Sequence, residues 1–134
     1  MLKKILLILL IAFYLFAGYN HFANPSFYNA IIPPYLSDWS GFINIASGCI
    51  EIGLALLLIP VKTRQWASWA IILMLLAFIP AHIYFIQKGN FQLGGLAVTP
   101  MIGWIRLLVI HPLLILWAWW ARKSDQSFFP VPQR

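Results

Sequence analysis

Seven side chains of chemically active type stand in unusual places in this chain: His21, Asn44, Ser47, Glu51, His82, Arg106 and His111. Each lies inside or at the end of a strongly apolar run, and Glu51 is one of only three acidic residues. The spacing of Asn44, Ser47 and Glu51, three and then four, puts them on one face of a helix. A carboxylate with histidines and an arginine in apolar surroundings can line a polar pocket, accept a proton, or lock helices together as an ion pair. The candidate partners of Glu51 are Arg106, His111 and His82, and the spacing does not choose among them. The sequence assigns no catalytic residue.

Which chemistry applies depends on the solvent around these runs. The 134 residues are 62% hydrophobic and only 9% charged, against about 45–50% and about 25% in soluble domains. A water-soluble fold this short leaves too much surface exposed to hide that apolar content. The surrounding solvent is therefore expected to be a lipid bilayer. The fold class that follows is all-α: a polytopic membrane four-helix bundle forming a single membrane domain over residues 1–134.

Four apolar segments, at about 4–22, 40–59, 65–86 and 100–120, each approach the ~20 residues that a helix needs to cross the hydrocarbon core. Trp39, Trp66, Trp69, Trp104, Trp117, Trp119 and Trp120 fall near the segment ends, where indole rings favour the headgroup region. Asn24-Pro25 starts a short interfacial or re-entrant helix at about 24–32, between the first two segments, and Pro33-Pro34 ends it. Thr99-Pro100 offers an N-cap and a first-turn proline to the last segment. Pro80 and Pro112 are expected to kink their helices and free backbone carbonyls.

The net charge of +6 is spread in pairs at segment ends rather than along a stripe. Lys3, Lys4, Lys62, Arg64, Arg122 and Lys123, with Arg134, mark the same side of the bundle and predict a cytoplasmic location for both termini. Nucleic acid is not an expected partner. The first segment opens like a signal peptide, but no small-x-small cleavage site follows, so retention is expected. On this topology every polar side chain within the bilayer falls in the outer half or at the midplane. The second segment, rich in small residues, is the expected packing centre.

The lone Cys49 excludes an intrachain disulfide and a CxxC motif, and is expected to pack as a small buried residue. A metal or haem site would require His21, His82 and His111 to converge from three helices without HxxxH spacing. Capping, hydrogen bonding or pocket lining is the expected role, and no metal is expected. The tail SFFPVP is expected to lie at the membrane interface.

The stretches "AGYNHFANPSFYNAIIPP" (17–34), "SGCIEIGLALLLIP" (47–60), "FIPAH" (78–82) and "WIRLL" (104–108) resemble the DoxX-like family of small four-helix membrane proteins. His82 stands where that pattern more often has asparagine. His111 stands in place of a glutamine after the arginine, with the spacing one residue longer. The resemblance implies a multi-pass protein of the bacterial-type inner membrane, sometimes a subunit of quinone-linked sulfur oxidation or a partner of thiol and oxidant-defence proteins.

Three functions are then open. The first is a redox-associated subunit that binds a quinone-like or other amphipathic molecule in an outward-facing pocket. There Glu51 would accept a proton, Arg106 would be its electrostatic partner, and His21, His82 or His111 would donate hydrogen bonds, with Asn44 and Ser47 nearby. The second is a non-enzymatic scaffold or assembly factor with a structural polar cluster. The third is a small transporter, which would need a homo-oligomer around a shared pore. Expected partners are the bilayer and a membrane or extracytoplasmic redox protein; the one cofactor suggested is a quinone.

Overall fold

The computed structural model describes residues 1–128. The chain is mostly helical. Among the described residues, four helical stretches are long and apolar enough to cross a membrane: Leu2–Ala23, Pro34–Leu57, Val61–Gln87 and Pro100–Ala121.

Helix α1 (Leu2–Ala23) buries Leu7, Leu10, Ile11, Tyr14, Gly18 and His21, a stripe at three- and four-residue spacing. It stops at Asn24 because Pro25 disfavours helical geometry in the residue before it. Helix α2 (Pro25–Asn29) is shorter than the 24–32 expected, and a 3-10 turn (Pro34–Trp39) leads into α3 (Ser40–Leu57). The α1–α3 crossing is close because both helices present glycine. A Cβ on Gly18 would stand 2.8 Å from the Gly48 carbonyl oxygen, and one on Gly48 would stand 2.8 Å from His21 Cβ. Cys49 lies on the opposite side of α3 and is exposed. The expectation that it is buried is corrected by helical phase: two residues before Glu51 places it about 200° around the helix.

The third apolar segment is two helices, α4 (Val61–Ala77) and α5 (Ile79–Gln87), broken at Phe78. Pro80, in the first turn of α5, accounts for the break. A hairpin follows that the all-α expectation left out: β1 (Phe91–Leu93) pairs antiparallel with β2 (Leu96–Val98). Its turn is Gly94-Gly95, with φ +56 and +82. These are left-handed values, which glycine adopts without steric cost. Leu93 and Val98 pack with Ile31 and Phe85 in a small cluster at this end of the molecule.

The last segment comprises α6 (Pro100–Ile105), a π-helical stretch (Arg106–Ile110) and α7 (His111–Ala121). Thr99 takes the N-cap position of α6, but its hydroxyl makes no capping bond. The π turn lies just before Pro112, whose ring and missing N–H disturb the regular ladder.

The main core occupies the end of the molecule opposite the hairpin. Leu7, Leu10, Ala55, Leu58, Ala67, Ile71, Ala118 and Ala121 pack there, with Trp117, Trp120 and Phe128 partly buried against them. This half is not free of polar groups, as the sequence had suggested. Ser68 and Arg64 are buried in it. Arg64 is a cross-link rather than a surface charge. Its Nε donates to the Leu58 carbonyl, Nη2 to Ile59, and Nη1 to Ser124 and Gln126, at 2.7–2.8 Å. The Phe128 ring lies within 5.6 Å of Lys4 Nζ and 5.9 Å of the Arg64 guanidinium carbon. Residues 129–132 of the SFFPVP tail, and Arg134, lie outside the described residues.

Candidate functional site

The hairpin half holds a cavity of ≈ 360 Å³, and all seven polar residues singled out from the sequence line it. They come from α1 (His21), α3 (Asn44, Ser47, Glu51), α5 (His82), the π stretch (Arg106) and α7 (His111). The rest of the wall is largely apolar, with Phe13, Phe16, Ile31, Ile32, Phe78, Ile110 and Leu114.

Glu51 does not pair with Arg106, His82 or His111. Its Oε2 stands 3.7 Å from Nε2 of His21. Helix geometry supplies the reason. Side chains lean toward the N-terminus of their own helix, and α1 and α3 run antiparallel across Gly18 and Gly48. His21 therefore leans along α1 toward the level of Glu51, while Glu51 leans along α3 toward His21. Oε2 of Glu51 is buried and has no hydrogen-bond partner among the described residues.

His21 is held on three sides. Its Nδ1 lies 2.7 Å from Asn44 Oδ1, and Asn44 Nδ2 donates to the His21 carbonyl at 2.9 Å. The Tyr28 ring stacks on the imidazole, with centroids 3.5 Å apart and planes at 23°. Tyr28 is in turn fixed by Asn20 Nδ2, which donates to its hydroxyl at 3.0 Å. Burial pushes the Tyr28 phenol above its ordinary value, outweighing the opposite effect of the Asn20 hydrogen bond, so it stays neutral at physiological pH.

On the facing wall, His111 Nε2 donates to the Leu75 carbonyl at 2.8 Å. Leu75 is in the last turn before the α4–α5 break, where carbonyls lose their regular partners. The His82 ring meets His111 edge-on at 4.7 Å. The Arg106 guanidinium lies 5.0 Å over the Phe85 ring. Among the described residues the Arg106 side chain makes no ion pair and no hydrogen bond, and no group of three or more His, Cys, Asp or Glu is placed to hold a metal.

Two tyrosines belong to the site that sequence reasoning did not assign to it. Tyr14 is buried with its hydroxyl unpartnered, and sits one turn before Gly18 on the stripe that carries His21. Tyr28 lies inside the quoted 17–34 stretch, and its fixed distance from His21 was the available signal.

Fold and site together define a mostly helical chain, with four stretches able to cross a membrane and a polar-lined cavity toward one end. Residues 10–122 match the family described as Domain of unknown function (DUF8561), and the chain belongs to that family. No curated protein and no solved structure matches it.

Proposed function

We propose that this is a DoxX-like, multi-pass protein of a bacterial-type inner membrane with both termini cytoplasmic. On this reading it is a redox-associated subunit whose outward-facing cavity binds a quinone-like or similar amphipathic molecule. One observation carries the reading: a mostly apolar cavity contains an arginine with no anionic partner and a carboxylate oxygen with no donor. A buried carboxylate oxygen of this kind is costly unless something satisfies it, and the half-buried Arg106 has donors free to face a ligand. A flat ring bearing an oxygen that accepts from the arginine and a hydroxyl that donates to the carboxylate, as in a quinol or hydroxyquinone, meets both needs with its apolar tail left in lipid. The volume is within the range of small-molecule sites, about 300–1,000 Å³.

The basic residues at the end opposite the hairpin support the orientation. Beneath the cavity the core around Leu10, Leu58 and Ile71 is closely packed, which argues against transport through a lone bundle. The test is direct. Protein purified in mild detergent is extracted and searched for quinone by mass spectrometry, then melted with and without a short-chain ubiquinone. A co-purifying quinone or a clear rise in melting temperature supports the reading, and the lack of both removes it.

The scaffold reading draws on a different observation, the double hydrogen bond of Asn44 to His21 across the glycine crossing, which joins α1 to α3. It requires that Glu51→Gln lower abundance while leaving folded protein with no separate functional defect.

A further inference from the structure

The amide of Asn44 has only one sensible orientation. Its second contact is with the His21 backbone carbonyl, which can only accept, so the atom there must be the Nδ2 donor. The oxygen of the same amide therefore faces His21 Nδ1 at 2.7 Å, and Nδ1 must carry the proton. A neutral His21 then has its lone pair on Nε2, the nitrogen 3.7 Å from Glu51 Oε2. A bare nitrogen facing an ionised carboxylate would set two acceptors against each other in an apolar wall. One proton resolves the conflict, whether on Nε2 as an imidazolium or on Glu51 as a carboxylic acid.

We propose that Asn44 is the positioning residue of a one-proton store: His21 and Glu51 hold a single proton between them on the cavity wall and offer it to a ligand oxygen. The inference rests on the reading of the cavity as a ligand site only for the word ligand; the proton count belongs to the empty protein. Given up, the proton becomes a hydroxyl hydrogen on the ligand and leaves a neutral imidazole and a carboxylate. The charge of −1 left behind is matched by Arg106 on the same cavity. The ligand class this favours is one that arrives with an anionic oxygen, such as a phenolate or the anion of a hydroxyquinone, rather than a purely hydrocarbon lipid. The other ionisable groups facing the pair are Tyr14 on its own helix, Tyr28 from the loop, His82, Arg106 and His111.

The store can be counted without any ligand. Full-length protein labelled with ¹⁵N histidine and ¹³C glutamate in lipid nanodiscs, at neutral pH, reports protons on both His21 nitrogens and on the Glu51 carboxyl by NMR. The expected result is a protonated Nδ1 and one proton in total on Nε2 and the carboxyl. In Glu51→Gln, Nε2 should be bare with Nδ1 still protonated. In Asn44→Leu the Nδ1 preference should be lost, with the helical circular dichroism spectrum confirming the fold. A bare Nε2 beside an ionised Glu51, or a neutral His21 protonated on Nε2 instead of Nδ1, overturns the proposal. A failed short-chain ubiquinone shift with the proton count intact would remove the quinone reading alone, so the two failures are separable.

Discussion

Arg64 and Arg106 stand in the two halves of the molecule, and their surroundings are opposites. Arg64 spends its guanidinium on four backbone carbonyls, two from the α3–α4 turn and two from the tail. The Arg106 guanidinium makes no hydrogen bond among the described residues and rests on one aromatic face. A cation whose donors are filled by its own chain has nothing left to offer a ligand, whereas one left open by the fold does. The same contrast separates the two halves of the molecule: a packed core pinned by Arg64, and a cavity with Arg106 on its wall.

The contrast breaks most visibly if Arg64 proves dispensable. Arg64→Ala strands four carbonyls and unpins the tail, so a loss of about 3–5 kcal/mol is expected, since a hydrogen bond to a charged group contributes about 1.5–3 kcal/mol and the four do not simply add. Equilibrium unfolding in mixed detergent measures it. Gly48→Ala should come next, at about 1–3 kcal/mol. Its new Cβ meets His21 Cβ and the Gly18 carbonyl oxygen within 3.0 Å, and the displaced His21 should weaken ligand-induced thermal shifts as well. His111→Phe removes one hydrogen bond to the Leu75 carbonyl and should cost about 1 kcal/mol, visible as a lower unfolding midpoint. The smallest stability change belongs to Arg106→Gln: unfolding unchanged within about 0.5 kcal/mol, together with loss of any short-chain ubiquinone shift. An Arg106→Gln protein as unstable as Arg64→Ala would erase the distinction.

The site residues are legible in the sequence because polar side chains are rare in apolar helices and each one needs a reason to be there. Their pairing is not. Choosing His21 over Arg106 as the neighbour of Glu51 requires knowing that α1 and α3 cross at Gly18 and Gly48 and that their side chains lean toward each other. Arg64 misleads for a related reason. Next to Lys62 in a short turn it reads as a topology charge, and only the return of the tail from Ser124 to Gln126 buries it. Cys49 was within reach of sequence reasoning, since its phase relative to Glu51 points it outward; its small size alone suggested burial. The hairpin carried its own signal in Gly94-Gly95 flanked by apolar residues, but six strand residues are too few to stand out between long helices. Pro80 and Pro112 announced breaks correctly, without indicating that one would be a gap and the other a π turn.

That π turn decides which side chains share the cavity wall. In an uninterrupted α-helix, positions five apart sit about 500° around the axis, or about 140° away from each other. Arg106 and His111 are five apart and still share a cavity wall, because the His111 N–H reaches back to the Arg106 carbonyl across the wider loop. The wider turn takes up the fifth residue locally, and the helix on either side keeps its phase. Deleting one residue within 107–110 would restore a regular α turn and leave the arginine and the histidine four apart, still on one face of the helix.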